Sequence, residues 1–146
     1  TGGSGTITPD LTNEEAGPWL DACKKHAINP IFVIAPSSND SRLEKVVSSC
    51  GGFVYAASLM GVTGARAQVS SAAEVLVERA RKFTSLPISV GLGVSTPEQA
   101  AGVAKFADGV IVGSAFINAV QKAPSFSEGL SAVKKLAEEL KSAIAR

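Results

Sequence analysis

Histidine is nearly absent from this chain, and so is any other signature of a reactive side-chain cluster. The 146 residues contain one histidine, His26, and two cysteines, Cys23 and Cys50. A single imidazole confines every Ser-His or Cys-His mechanism to His26, and its place near the predicted end of a helix suits a surface or C-capping role better. Cys23 and Cys50 lack the Cys-x-x-Cys spacing and the neighbouring histidines of a metal or redox site, so reduced, buried thiols are expected and no metal is. Charge of either sign is scarce as well. With 14 basic against 13 acidic side chains the net charge is +1, and only 18% of residues are charged. That balance offers no electrostatic basis for binding nucleic acid or an anionic membrane. No apolar run reaches the roughly 18 residues that a spanning helix needs, and the N-terminus carries no basic-then-apolar signal pattern. The expectation is a soluble, cytoplasmic protein.

What the chain does have is apolar material, 45% of its residues, at a length that buries a real core in one domain. Its informative stretch runs from Gly91 to Phe116. Two β-branched runs, Ile88 to Val90 and Val110 to Val112, each stop at a glycine followed by helix-starting residues. Small residues at the carboxyl end of a parallel strand let backbone N–H groups approach an anion, and the next helix N-terminus adds its positive dipole end. Two such turns on neighbouring strands near the end of a barrel sequence form a phosphate site.

In chain order, Thr1 to Gly5 reads as a linker or loop remnant ahead of a single domain over 6–146. Thr6 to Leu11 reads as a short strand ending in a turn. Thr12 and Glu15 have capping-box spacing, but Gly17-Pro18 breaks the run, so a turn and then a helix from about Pro18 to His26 is predicted. Ile31 to Ala35 is a continuous apolar run of the parallel-strand kind. Leu43, Val46, Val47 and Cys50 then repeat at helical spacing. Phe53 to Ala57 is the third strand. Ser58 to Ser70 reads as a long loop of the kind that serves as a lid, with Ser71 and Glu74 capping the next helix and Ala73, Leu76, Val77, Ala80 and Phe83 forming its apolar face. Pro87 to Val90 and Val110 to Val112 are the fourth and fifth strands. Thr96 to Gln99 starts a helix between them, Ser114 starts a short one, and Ser125 with Glu128 caps the last, with Phe126, Leu130, Val133, Ala137, Leu140 and Ile144 on one side. Strand and helix alternate without a hairpin signal, which predicts an α/β chain with parallel strands.

In such folds function lies beyond the carboxyl ends of the strands. The residues there are mostly small, with one carboxylate, Asp10, and one phenol, Tyr55. Backbone amides at Gly64, Gly93, Gly113 and Ser114, with the Ser114 hydroxyl, suit a phosphate dianion without lysine; the alternative is that these glycines only serve turns and packing. Asp10 either serves as one member of a general acid and base pair or accepts hydrogen bonds from its own turn or from the loop. Tyr55 is a pocket wall or a half-buried core aromatic, and Arg66 draws a phosphate or is simply solvated. A second carboxylate for a general acid and base pair is not found.

In order and spacing, Thr-Ile-Thr-Pro-Asp-Leu (6–11), Ile-Phe-Val-Ile-Ala-Pro (31–36), Gly-Phe-Val-Tyr (52–55), Gly-Val-Thr-Gly-Ala-Arg (61–66), Gly-Leu-Gly-Val-Ser-Thr-Pro-Glu-Gln-Ala (91–100) and Ala-Asp-Gly-Val-Ile-Val-Gly-Ser-Ala (107–115) resemble the tryptophan synthase alpha chain family. The likeness covers nearly the whole chain. What it resembles is strands four to eight of a (β/α)8 TIM barrel, here a partial barrel of about five parallel βα units. The resemblance implies a lyase that cleaves indole-3-glycerol phosphate to indole and glyceraldehyde 3-phosphate in tryptophan biosynthesis, with no metal or organic cofactor. It also implies a partner, the tryptophan synthase beta chain of an alpha2beta2 complex, which holds the pyridoxal phosphate. Carried over by residue, Gly64, Gly93, Gly113 and Ser114 are the phosphate site, Tyr55 the active-site tyrosine and Thr63 the loop threonine that closes over substrate. Asp10 matches an aspartate facing the beta chain and linked to loop closure, and Leu92 stands where phenylalanine is frequent. The family's catalytic glutamate and aspartate come from strand two and the loop after it, and neither is in this chain. A second expectation is therefore a catalytically inactive half-barrel that binds phosphate and self-associates through open edges near Ile7 and Ile111. Other phosphate-binding barrels of tryptophan or histidine biosynthesis share the glycine turns but not Gly-Val-Thr-Gly-Ala-Arg.

Overall fold

The computed structural model describes residues 2–57, 66–91 and 93–145, the side chains of 66–71 excepted. The strands are β1 (Gly5–Ile7), β2 (Asn29–Ile31), β3 (Val33–Ile34), β4 (Val54–Ala57), β5 (Ile88–Gly91) and β6 (Gly109–Val110). The helices are α1 (Gly17–Lys25), α2 (Asp40–Ser48), α3 (Arg66–Arg81), α4 (Pro97–Ala104), α5 (Ser114–Gln121) and α6 (Phe126–Ala143). Every strand pair is parallel, in the order β1-β2 and β3-β4-β5-β6. The expected second strand divides at Phe32: β2 pairs back to β1, while β3 pairs forward to β4. Phe32 still joins the ladder, because its carbonyl accepts the Tyr55 N–H at 3.2 Å.

Alternation along the strands gives the sheet two unlike faces. Ile34, Ala56 and Val90 lie side by side in register and are buried, as are Val54 and Ile88. Helices cover that face: Leu43 and Val47 of α2, Ala73, Leu76, Val77 and Ala80 of α3, Ala100 and Val103 of α4 and Leu140 of α6 complete one cluster. The other row, Val33, Tyr55, Ser89 and Gly109, stays half-buried. Truncating a fully buried member such as Leu76 or Ile88 to alanine would cost about 2–5 kcal/mol.

Several local expectations need correction. Pairing begins before Thr6, since the Ser4 carbonyl accepts from the Asn29 backbone (3.0 Å) and side chain (2.9 Å). At its other end the expectation holds: β1 stops at Ile7 and the turn expected within 6–11 falls at Pro9-Asp10, where Pro9 has no N–H for a ladder. Helix α3 starts at Arg66, so Ser71 and Glu74 are internal rather than a cap and 66–70 is not loop. β6 ends at Val110 instead of Val112, although the Ile111 N–H still donates to the Val90 carbonyl at 2.8 Å. On α6, Phe126, Leu130 and Ala137 are exposed, leaving Leu140 buried and Leu136 and Ile144 packed against the core.

Other starts and stops follow the sequence signals. Thr12 bonds Glu15 across one turn (2.7 Å), α1 opens with Pro18 in its first turn, and exposed His26 is its C-cap. Asn39 caps α2 and Ser125 caps α6. Cys23 and Cys50 are free thiols, and the burial of Cys50 raises its pKa above the ordinary thiol value. At the amino ends of the strands, Asp108 locks β5 to β6: its Oδ2 accepts the Ile88 N–H at 2.8 Å and pairs with Arg81 at 2.9 Å.

Candidate phosphate-binding site

Parallel strands deliver all their carboxyl ends to one side, so the turns after β1, β3, β5 and β6 share it. The two glycine turns found in the sequence are both there, but they are not equivalent. After β5, Gly93 takes φ +90°, a conformation that glycine adopts without strain. The helix that follows, α4, consumes its own N-terminal donors. Gln99 Oε1 accepts from the Ser95 N–H (2.8 Å), the Thr96 N–H (3.2 Å) and the Ser95 hydroxyl (3.1 Å), while Thr96 Oγ1 accepts the Gln99 N–H (3.3 Å). Glu98 sits in the same first turn with its pKa lowered by its own backbone N–H and by the Thr96 hydroxyl. An anion would meet satisfied donors and a carboxylate.

The start of α5 differs in every respect. Its N-cap is Gly113, which brings no side chain to the helix end, and its first turn contains no acidic residue. A Cβ at Gly113 would meet no atom of the described residues within 4 Å, so among them nothing fills the space beside the helix end. Ser114 is the first helical residue and is exposed, its hydroxyl beside the N–H groups that a helix start leaves without intrahelical partners. Gly113 and Ser114 therefore present the donor set, with Gly93 in the turn after the adjacent strand.

Beside this cradle the half-buried face carries Tyr55. A Cβ at Gly91 would stand 2.6 Å from Tyr55 Oη, 2.8 Å from its Cε2 and 2.9 Å from Ile111 Cβ. The phenol thus lies across β5 in space that only glycine leaves open, with Ile111 as its far wall. Burial raises the phenol pKa above its ordinary value. Gly109 is held in the same way, with a Cβ there only 2.5 Å from Ser89 Oγ. Tyr55 is a half-buried aromatic packed across β5; the sequence pointed to the ring but not to Gly91, whose role depends on a cross-strand register that no local pattern encodes.

Asp10 does not join this group. It is exposed in the turn after β1 and lines a separate cleft of about 100 Å³ with Thr12, Asn13, Ser38 and Arg42. Of the remaining expected residues, Thr63, Gly64 and Leu92 lie outside the described residues, and Arg66 is described only as the first residue of α3. No cluster of His, Cys, Asp or Glu suited to a metal occurs among the described residues, and no described helix is long and apolar enough to cross a membrane.

Parallel βα units with a glycine-lined helix start at the carboxyl end of the last strand define a partial TIM barrel. Comparison with known proteins narrows this further. The pattern of the tryptophan synthase alpha chain family matches residues 1–145, and the chain belongs to that family. It is 54% identical over 139 residues to the alpha chain of Streptomyces avermitilis, covering 95% of this chain and 50% of that one. With the Acidothermus cellulolyticus alpha chain the identity is 52% over 145 residues, covering 99% and 54%. Among solved structures, tryptophan synthase from M. tuberculosis in an open form superposes with a TM-score of 0.83 at 43% identity, over 98% of this chain and 51% of that chain. The tryptophan synthase complex of Pyrococcus furiosus reaches 0.78 at 27% identity, over 97% and 55%. The chain thus spans about half the length of the relatives it matches.

Proposed function

We propose that this chain is the phosphate-holding part of a lyase of tryptophan biosynthesis that cleaves indole-3-glycerol phosphate to indole and glyceraldehyde 3-phosphate. One observation carries the reading: the Gly113-Ser114 start of α5 is uncapped and open, beside the Gly93 turn, on the side of the sheet where such barrels bind substrate. Backbone N–H groups there hold the phosphate dianion, and Gly64 adds to them from the preceding loop. Tyr55 flanks the indole, Leu92 gives it an apolar contact, Thr63 closes over it, and Asp10 ties loop closure to a tryptophan synthase beta chain.

In this retro-aldol step the bond between indole C3 and the hydroxyl-bearing carbon breaks. The electron pair passes to the ring, C3 gains a proton, and the hydroxyl loses one to become the aldehyde carbonyl. The step needs a general acid and a general base placed near the ring and the hydroxyl. Tyr55, with its raised pKa, stays protonated at neutral pH and is no base. Asp10 lines a different cleft. In the tryptophan synthase alpha chain family the acid and base carboxylates come from strand two and the loop after it, and on that resemblance we take them to be supplied from outside these 146 residues. The chain itself uses no cofactor, pyridoxal phosphate belonging to the beta chain, and it works in the cytoplasm.

Two measurements test this. Titration with glycerol 3-phosphate should move the amide resonances of Gly113 and Ser114 first, and Ser114→Asp should abolish the shift. Indole release should be absent for the chain alone and appear on adding a separately made piece carrying the first three strands of a relative. Full activity from the chain alone would refute the assignment of acid and base to residues outside it.

A further inference from the structure

We propose that Arg79 is a positioning residue: from α3 it fixes the turn between β3 and α2, and with it one wall of the Asp10 cleft. The inference rests on the reading that Asp10 faces a tryptophan synthase beta chain, and it names what gives that contact its shape. Arg79 sits on α3 beside the buried Val77 and Ala80, but its guanidinium reaches across to the neighbouring unit. Its Nε and Nη2 lie 2.8 and 2.7 Å from Asp40 Oδ1, in the first turn of α2, and Nη2 also donates to the Ser38 carbonyl at 2.6 Å.

The turn it holds carries function-side residues. Ser38 donates its own N–H to the Ala35 carbonyl at 3.0 Å, and Asn39 Oδ1 accepts the Arg42 N–H at 2.9 Å. Both bonds are internal to the turn and α2, whereas Arg79 restrains the turn from the next βα unit. Ser38 and Arg42 then form one side of the cleft of about 100 Å³, and Asp10, Thr12 and Asn13 form the other. The two sides bring opposite charges, Arg42 and Asp10, to one small space. A shift of the turn changes both the width of that space and the distance between the charges.

Stability alone does not account for this contact. The Asp40 side chain is 59% exposed and that of Arg79 25%, and ion pairs of such exposure add little to folding. Cohesion between α2 and α3 comes from the buried cluster they share, with Leu43 and Val47 on one helix and Leu76, Val77 and Ala80 on the other. Apolar burial is non-directional, so it holds the helices together without fixing the turn ahead of α2. A planar guanidinium that grips a carboxylate and a backbone carbonyl at once does fix it, and a lysine ammonium has no such fork.

The test is calorimetric titration of a relative's beta chain into this chain assembled with the separately made first half of the same relative. Arg79→Met should weaken beta-chain binding at least tenfold while the shifts of Gly113 and Ser114 with glycerol 3-phosphate stay as they are. Arg79→Lys should remain at least threefold weak. Asp10→Asn reports on the underlying reading and should weaken beta-chain binding as well. If Arg79→Met does not fold, Asp40→Asn breaks the ion pair from its exposed side and should weaken binding at least threefold. Undiminished binding by Arg79→Met when Asp10→Asn binds weakly would overturn this inference alone. Undiminished binding by both variants would overturn the reading of Asp10 and the inference with it. Loss of the glycerol 3-phosphate shifts together with beta-chain binding would reduce Arg79 to a structural role and so overturn the proposal.

Discussion

Replacing Gly91 by alanine isolates the contact on which the Tyr55 side of the site depends. The added Cβ would lie 2.6–2.9 Å from two atoms of Tyr55 and from Ile111 Cβ. Ordinary van der Waals contact begins near 3.4 Å, so the ring or β6 must withdraw by the better part of an ångström. Neither is free to do so cheaply. Gly91 is registered against Ala57, and Ile111 is bonded through its N–H to Val90. Overpacking of this kind costs about 1–3 kcal/mol. With a urea slope of about 2 kcal/mol/M for a chain of this size, the unfolding midpoint of Gly91→Ala should fall by about 0.5–1.5 M. Gly113→Ala is the matched control, because its new methyl meets nothing within 4 Å among the described residues. Its stability loss should stay below about 1 kcal/mol, the cost of alanine at an N-cap, while glycerol 3-phosphate binding drops tenfold or more. Tyr55→Phe removes the nearest of the three atoms, so combining it with Gly91→Ala should recover part of the loss, a coupling of about 0.5–1 kcal/mol in a double-mutant cycle. An unchanged midpoint for Gly91→Ala would refute the placement of the ring against β5.

Three further outcomes rest on other parts of the fold. Ala27 follows the C-cap of α1 with φ +53°, and its N–H and that of Ile28 close the helix end on Lys24 and Cys23. The left-handed region costs an alanine about 1–2 kcal/mol, and glycine loses part of that gain to unfolded-state entropy, so Ala27→Gly should raise stability by about 0.5–1 kcal/mol in the same urea experiment. Asp108→Ala removes the acceptor of the Ile88 N–H and the partner of Arg81, and should lower the midpoint by the equivalent of about 1–3 kcal/mol without changing phosphate binding. Tyr55 is the single tyrosine, so its ionisation can be read alone from phenolate absorbance near 295 nm. Its folded pKa lies above the unfolded value of about 10, so the folded state keeps the proton that the unfolded state loses. The contribution is therefore whole below pH 10 and lost as pH rises beyond it; Tyr55→Phe should flatten the alkaline fall in stability, and an absorbance transition below pH 10 would contradict the burial.

The elements were readable where local chemistry decides them. Thr96 to Gln99 announces a capped helix, Leu43, Val46, Val47 and Cys50 announce a buried stripe, and the structure has both. The failures share one cause, which is that pairing is a property of two segments. Nothing within Ile31 to Ala35 says that the run serves β1 before Phe32 and β4 after it. Nothing within α6 says that Phe126 and Leu130 find no cover among the described residues while Leu140 does. Ser71 and Glu74 have the spacing of a cap, yet the same residues at i and i+3 fit a helix interior, and helical residues ahead of them from Arg66 settle the matter. At the site, Tyr55 and the glycines were legible as residue types, whereas the 2.6 Å approach at Gly91 exists only once β4 and β5 are in register.

The two glycine turns looked alike in sequence, and the physical difference between them was nonetheless written there. Thr96 and Gln99 stand at the spacing by which a helix satisfies its own first donors, and Glu98 adds negative charge to that turn. A helix so capped has little left for an anion, however well its dipole points. Gly113, Ser114 and Ala115 offer no such side chains, so the donors of α5 must find their partner elsewhere, in water or in a bound oxyanion. A capping box lowers the anion affinity of the helix it stabilises, and a bare glycine start raises it at the expense of local stability. Division of labour between α4, which anchors the turn carrying Gly93, and α5, which keeps its donors free, follows from that opposition. It also explains why the phosphate site proposed here has no need of lysine or arginine.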